Sequence, residues 1–490
     1  NAVREDPWEY DEDDSNVEIK MENLRAQIRS SERYDRLRDA ELSEKLQTYN
    51  TLFKHDFSDA DLLRIARADM QRGYITELYA KKIISKKQKD LYEKVLGNDD
   101  QGQALIDEWQ DFEKSVQKAF DTKVKMTVFT HENANFEKDT VMTPLDSIKY
   151  HRKHLQTGIL AIEPQNGHIK AWVGGINLKY FQQDHIHTNR QVGSTFKPFV
   201  YATAIAFQGI SPCAEVYDIQ YTISKGEGNF HMQNDWSPKN SDNEYEAKPI
   251  TLYTGLRESK NTVSVYLMKQ IGDVEPVRKL AGNLGINTSK LPPVPSLCLG
   301  SADISLYEMT GAYAAFANNG IYTKPTFIKQ IEDKNGKLIY RSVETEEQAL
   351  QPDANFVMVD MLRNALAGRG GSYELKSEVG GKTGTTQNHS DGWFMGITPN
   401  LVVGTWVGGE DRWIRFRDLS LGQGSVMARP IFIDLLKRLE SDPEVDYDKN
   451  AKFYKPPGRL SISIDCEEYH NLHPLNKPES FDTEEEREFF

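Results

Sequence analysis

The stretch GGKTGTTQNHSDGWFMGITPNLVVGTWVGG, residues 380–409, decides the fold. It reads as three strands, SEVGGKTGTTQ (377–387), DGWFMGIT (391–398) and LVVGTWVGG (401–409), the last two joined by a Pro399–Asn400 turn. Working outward, TGILAIEPQNGHIKAWVGG (157–175) reads as a hairpin, because Pro164, Gln165, Asn166 and Gly167 supply turn residues between two apolar runs. The long segment between the hairpin and the three strands reads as mainly helical, with polar loops such as HMQNDWSPKNSDNEYEA (231–247). ARPIFIDLLKRLE (428–440) reads as a closing amphipathic helix. Two strands, a helical insert, three strands and a final helix predict an α+β fold, an antiparallel sheet flanked by helices.

The chain has 490 residues, too many for one average domain, so two or three units are expected. Its 60 Lys and Arg against 74 Asp and Glu give a net charge of -14, which argues against a general nucleic-acid binder, since phosphate neutralisation needs basic surface. No apolar run reaches membrane-spanning length. Cys213, Cys298 and Cys466 lie far apart without a C-x-x-C spacing, and predict neither a disulfide framework nor a zinc site.

The character of the chain changes along its length. Residues 1–17 form an acidic lead-in without a signal-peptide pattern, and 18–122 a charged, mainly helical region. There SDAD (58–61) has the spelling of a capping box, and Leu105, Trp109, Phe112, Val116 and Phe120 mark one helix face. Residues 123–156 read as a linker with short strands, in which Val124, Met126 and Val128 of KVKMTVFT share one side. A catalytic domain is expected over 157–445, and a C-terminal tail over 446–490.

The chemistry centres on GSTFKPF (193–199). Pro198 lacks an amide hydrogen and is tolerated near a helix start, which places Ser194 at a helix N-terminus where free amides gather. Lys197, three residues on, shares a face with Ser194 and can act as the base that a serine hydroxyl needs. The spelling S-x-x-K is common: Ser115–Lys118 repeats it on a helix where Lys118 lies opposite the apolar stripe.

GGKTGTT (380–386) adds a second group. The paired glycines Gly380 and Gly381 allow close approach to the strand backbone, Lys382 supplies positive charge, and Thr383, Thr385 and Thr386, with Gly384 in the same candidate substrate-binding stretch, offer hydroxyls suited to a substrate carboxylate. Lys382 is also expected to depress the pKa of Lys197 by like-charge repulsion. A Ser-x-Asn triplet occurs twice between these motifs, as Ser241–Asp242–Asn243 in a polar loop and as Ser259–Lys260–Asn261 before an apolar helical run. The second is preferred, because a helix edge holds side chains more rigidly. Asp391 is read as a candidate cleft residue and Trp393 as core; His185 and His187 lack a third metal ligand. GRGG (368–371) reads as a turn beside the site, since no Lys-Ser or Lys-Thr pair closes it as a phosphate loop.

S-x-x-K, S-x-N and K-T-G in this order are the signature of penicillin-binding proteins and serine β-lactamases. With RQVGSTFKPFVY, GGINLKYFQQDH, LGSADISLYEMTGAYAAFANNGIYTKP and the stretch at 380–409, the chain resembles the transpeptidase half of a class A, bifunctional penicillin-binding protein over about 140–440. The resemblance implies that family's transpeptidase fold, with a five-stranded antiparallel sheet flanked by helices; the N-terminal mainly helical region is read from its own residues and does not resemble the family's glycosyltransferase domain. It implies a D-Ala-D-Ala transpeptidase that cross-links peptidoglycan stem peptides, passes the acyl group to an amine acceptor and is acylated by β-lactams. Ser194 would be the nucleophile, Lys197 its base and Ser259 a proton relay. Asn261 would bind the donor amide, Lys382, Thr383 and Thr385 the carboxylate, and the Ser194 and Thr385 amides would form the oxyanion hole.

No cofactor or metal is implied. Other cell-wall synthesis proteins are candidate partners, nucleic acid is not, and the expected location is extracytoplasmic, membrane-anchored in the full-length protein. The E-D-x-x-F-x-x-H and T-I-T-Q-Q stretches of the family's glycosyltransferase domain are not found in this sequence, nor is the anchor that precedes it. Glycan polymerisation is therefore not assigned, and the sequence is expected to be a piece of a longer protein. The rival readings are a β-lactam hydrolase or sensor of the same fold, though no E-x-x-L-N stretch lies between Asn261 and Lys382, and a catalytically silent envelope scaffold.

Overall fold

The computed structural model describes residues 17–343, 345–367 and 373–473, so the GRGG stretch and the lead-in to residue 16 lie outside the described residues. The chain divides between His154 and Leu155 into two units.

In the first unit, apolar residues recurring at helical spacing among many charges produce seven helices. They are α1 (Val17–Arg29), α2 (Glu32–Glu41), α3 (Ser43–Phe53), α4 (Asp59–Met70), α5 (Tyr74–Ala80), α6 (Lys86–Leu96) and α7 (Gln101–Asp121). SDAD is a capping box: Ser58 Oγ accepts from the Asp61 amide at 3.2 Å and Asp61 Oδ2 accepts from the Ser58 amide at 3.0 Å. Leu105, Trp109, Phe112, Val116 and Phe120 are all buried along α7 and pack with Tyr34, Leu62, Ile65 and Tyr92. Each such side chain contributes about 1.5–3 kcal/mol on burial. Lys118 is exposed, so the S-x-x-K at 115–118 is a surface coincidence. Strands β1 (Val124–Phe129) and β2 (Glu137–Met142) then pair antiparallel. Helix α8 (Pro144–Arg152) follows, capped by Thr143, and packs Leu145 and Ile148 against the helical core.

The second unit is built on a five-stranded antiparallel sheet. Its strands are β3 (Gln156–Ile162), β4 (Ile169–Val173), β5 (Gly380–Thr385), β6 (Asp391–Ile397) and β7 (Val402–Gly408), in the order β5-β6-β7-β3-β4. The two-residue period sends Trp393, Met395 and Ile397 into one core and Phe394 into another. The closing helix, Arg429–Ser441, covers the second face with Phe432 and Leu436. The first face is covered by helices from the insert: α9 (Lys197–Gln208), α10 (Leu252–Arg257), α11 (Asn261–Ile271), α12 (Glu275–Asn283), α13 (Leu306–Ala317) and α14 (Pro352–Ala367). Short strand pairs interrupt the insert, 189–191 with 303–305 and 215–217 with 249–251 among them, where the sequence reads as helix and loop. Three-residue strands are too short to show a two-residue period.

The cysteine reading is overturned: Cys213 and Cys466 form a disulfide, with Cα atoms 5.0 Å apart across a sequence separation of 253. Spacing rules describe short frameworks, whereas this pair is brought together only by the folded domain. The bridge ties the segment after α9 to a short helix, Cys466–Leu472, and Ser211 Oγ donates to Ser463 O beside it at 2.7 Å. Cys298 is free and buried, which pushes its thiol up to about 12. Replacing Cys213 and Cys466 together by Ser should lower unfolding stability by about 2–4 kcal/mol, because a long loop in the unfolded chain is no longer closed. Denaturant unfolding of both proteins measures this; equal midpoints and slopes would show that the bridge contributes nothing.

Candidate active site

Helix α9 is buried almost throughout its first nine residues, Lys197 to Ile205, and is therefore fixed on all sides. A 3₁₀ turn, Gly193–Phe196, leads into it, with Pro198 in the first turn of the α-helix. Ser194 sits on that turn, half-buried and facing a cleft. The turn is anchored from below: Tyr313 Oη donates to Thr195 O at 2.7 Å and the Gly193 amide donates to Gly300 O at 3.1 Å. Gly193 has φ +51°, and a Cβ there would stand 2.6 Å from Thr385 O. Only glycine lets the serine turn and the end of β5 approach so closely.

Lys197 is fully buried, and its amine donates to Ser259 O, to Asn261 Oδ1 at 2.8 Å and more weakly to Ser259 Oγ at 3.4 Å. Burial lowers its pKa to about 7, opposed by Cys298. The leading cause is desolvation, in place of the repulsion expected from Lys382. The Lys197 backbone amide donates to Ser194 O, but no hydrogen bond among the described residues joins the Lys197 amine to the Ser194 hydroxyl; the amine is drawn instead toward the acceptors of the Ser-x-Asn turn.

That turn lies between α10 and α11. Ser259 adopts φ +60°, an unusual conformation for a residue with a side chain, which aims its hydroxyl at both lysines. Lys382 Nζ donates to Ser259 Oγ at 2.8 Å and to Thr383 O at 3.1 Å. Asn261 is bound at both ends of its amide, accepting from Lys197 and donating to Lys239 O at 2.8 Å. The competing triplet also reaches the cleft, since Ser241 lines it, but Ser241 is exposed, and the hydrogen bonds of Lys197 and Lys382 to a serine hydroxyl go to Ser259.

The cleft encloses about 160 Å³ and is bordered by Ser194, Asn240, Ser259, Thr383, Thr385 and Gln423, among others. Thr383 and Thr385, two apart on β5, are half-buried at its wall, and Thr385 Oγ1 accepts from the Gly424 amide at 3.1 Å. Gly384, between them, brings β5 against the 192–195 turn; a Cβ there would meet Val192 O at 2.8 Å. Thr386 departs from the sequence reading. Its buried hydroxyl lies 3.0 Å from Ser390 Oγ, donates to Asp391 Oδ2 at 3.2 Å and accepts from the Asp391 amide, so it faces the interior rather than the cleft. Asp391 is likewise buried, paired with Arg190 at 3.3 Å and accepting from Trp406 Nε1 at 3.0 Å. Trp393 is core, with Nε1 donating to Gln191 O.

His185 stacks on Trp406 with ring centroids 4.8 Å apart, and burial takes its pKa down to about 4; His187 lies against Trp172 and Tyr307. No group of three or more His, Cys, Asp or Glu that could hold a metal occurs among the described residues. Sequence reasoning missed Asp218, Asn240 and Arg190, which act through side-chain contacts that no short motif encodes.

The sequence profile of the penicillin binding protein transpeptidase domain matches residues 157–411, and that of the penicillin-binding protein middle domain matches 76–155. The chain belongs to the penicillin-binding protein transpeptidase family. It corresponds to the middle and transpeptidase regions of a class A penicillin-binding protein homologue. Penicillin-binding protein 1A of Aquifex aeolicus is 35% identical over 316 residues, covering 63% of this chain and 41% of that protein. Penicillin-binding protein 1A of Neisseria meningitidis is 30% identical over 293 residues, covering 58% and 36%. The chain thus spans about two fifths of the curated relatives it matches. The crystal structure of penicillin-binding protein 1A from Haemophilus influenzae superposes with a TM-score of 0.55 at 25% identity, covering 67% of this chain and 52% of that one. The serine turn lies against the sheet edge through the close approach of Gly193 to Thr385, and this glycine contact is testable. Gly193→Ala should cost roughly 1–3 kcal/mol of stability, because the new Cβ must displace β5 at a backbone angle alanine avoids. Thermal unfolding reads it out, and an unchanged melting temperature would show that the contact is soft.

Proposed function

We propose that this chain is a serine D-Ala-D-Ala transpeptidase domain that works through an acyl-enzyme on Ser194 and is inhibited covalently by β-lactams. One observation carries the reading: Lys197 and Lys382 converge on the Ser259 hydroxyl in the cleft that Ser194 lines. With a pKa of about 7, Lys197 is substantially neutral at physiological pH, as a general base must be.

In this mechanism Lys197 takes the Ser194 hydroxyl proton, and Ser194 Oγ attacks the carbonyl carbon of the penultimate D-alanine. The tetrahedral oxyanion faces the amides of Ser194 and Thr385, a donor pair typically worth several kcal/mol in the transition state. The C–N bond breaks as Ser259 passes a proton to the departing D-alanine amine. Lys382, Thr383 and Thr385 hold the terminal carboxylate, and Asn261 holds the donor peptide amide. An acceptor amine then attacks the ester and regenerates Ser194. Strand β5 is the sheet edge, so an extended peptide can pair with its backbone.

The setting we propose is extracytoplasmic, on peptidoglycan. The Cys213–Cys466 bridge supports an oxidising compartment. Among the described residues no helix is long and apolar enough to cross a membrane.

Intact mass after addition of penicillin tests the reading. A persistent adduct on Ser194 supports the transpeptidase, rapid antibiotic turnover would support a hydrolase, and no adduct a silent scaffold. Ser194→Ala should lose labelling by roughly 10³-fold or more while keeping its melting temperature. Labelling at the parent rate would remove Ser194 from the mechanism. The acylation rate should also rise with pH through about 7 and then level off, because the depressed pKa of Lys197 frees the reactive amine above that point. A rate flat across neutral pH would separate Lys197 from base catalysis.

A further inference from the structure

The middle residue of the Ser-x-Asn triplet, Lys260, is buried although nothing in the proposed chemistry uses it. Its amine pairs with the fully buried carboxylate of Asp218 at 2.9 Å, with Glu246 farther off at 3.7 Å. Asp218 is saturated with donors. Its Oδ1 accepts from Thr262 Oγ1 at 2.6 Å and from Asn240 Nδ2 at 2.9 Å, and its Oδ2 from the Glu246 amide at 3.0 Å. Asn240 closes the loop: its Oδ1 accepts from the Asn261 amide at 2.9 Å and the Thr262 amide at 3.3 Å. One carboxylate therefore joins two backbone segments, the turn 259–262 that presents Ser259 and Asn261 to Lys197, and the loop 239–246 whose Asn240, Ser241 and Asp242 border the cleft.

From this connectivity we infer that Asp218 and Lys260 are positioning residues for acylation: their ion pair, relayed through Asn240, fixes the Ser259–Asn261 turn against Lys197 and couples it to the cleft-wall loop. The inference rests on the proposed acyl-enzyme at Ser194. Its physical basis is that Ser259 occupies a left-handed conformation, which persists only where the surroundings over-determine it. Burial by itself would raise the Asp218 carboxyl, but the hydrogen bonds from Thr262, the Glu246 amide, Lys260 and Asn240 more than reverse it, so the anion is the form the site favours. Burial pulls Lys260 down, and Asp218 more than restores it. Removing Lys260 leaves a buried carboxylate without its counter-charge, and removing Asp218 leaves Lys260 only the more distant Glu246; the least costly relief in either case is movement of the turn.

The test uses the full chain and a fluorescent penicillin, with saturation kinetics separating non-covalent affinity from the limiting acylation rate at Ser194. Asp218→Asn and Lys260→Met should each slow the limiting rate by about tenfold or more, with affinity changed by less than about threefold. The double variant should be no slower than the worse single, because both act through one ion pair. Lys260→Arg, which keeps the charge, should stay within about threefold of the parent. Melting temperatures identify the working range, and if Asp218→Asn does not fold, Lys260→Met and Lys260→Arg decide the matter. Limiting rates within about twofold of the parent for Lys260→Met would overturn the inference, as would independent, additive losses. A parent chain that takes no label at Ser194 would instead overturn the proposed function, and this inference with it.

Discussion

A primary amine with no access to water must find acceptors inside the protein, and the second unit is organised around meeting that demand for Lys197. Its position is set by α9, whose first nine residues are buried, so the amine cannot move out to solvent. The acceptors come from another helix pair: Ser259 O, Asn261 Oδ1 and Ser259 Oγ all converge on it. Two residues of one turn, Ser259 and Asn261, deliver these three acceptors, and Ser259 holds a left-handed conformation in that turn. That conformation in turn needs outside support, which the Asp218 network supplies from a loop far away in sequence. The desolvation that creates the demand also sets the chemistry, since it is the leading reason that the amine titrates near neutrality.

The sheet enters through its edge. Strand β5 is paired on one side only and runs past the 3₁₀ turn that bears Ser194, with glycines at 193 and 384 removing the side chains that would hold them apart. The approach sets the Ser194 turn beside the Thr385 backbone, and Lys382 reaches across to the Ser259 hydroxyl. Both sheet faces are covered, by the α9–α14 layer and by Phe432 and Leu436 of the closing helix, so the edge is held by packing on either side.

Much of this was legible in the sequence because it repeats. The strand period in 380–409, the turn residues at 164–167, the helical stripe ending at Phe120 and the capping spelling at 58–61 are local patterns, and the folded chain contains each of them. The grouping of Lys197, Ser259, Asn261 and Lys382 was legible through motif order. What escaped is what folding alone brings together. Cys213 and Cys466, 253 positions apart in sequence, become neighbours only when the chain between them has folded, and Asp218 meets Lys260 through a loop with no periodicity. Thr386 and Asp391 were misread for a related reason: polar residues beside a candidate site strand suit a cleft, yet here they hydrogen-bond one another in the interior, where Asp391 also pairs with Arg190.

The hydrogen-bond inventory at Ser259 gives the proposed reaction its direction. A neutral lysine amine has two N–H donors and one lone pair, and the carbonyl oxygens of Ser259 and Asn261 can accept from both donors. The lone pair is then the free function, able to receive a proton from a hydroxyl at its margin. Once it takes that proton from Ser194, Lys197 has a third N–H, and Ser259 Oγ, 3.4 Å away, is the acceptor that remains. Ser259 already accepts from Lys382 at 2.8 Å, so donation from a second ammonium favours release of its own proton outward, toward the leaving amine. The burial that makes Lys197 a base when neutral thus makes it a strong donor when charged, and one hydroxyl between two lysines connects the two halves of the step.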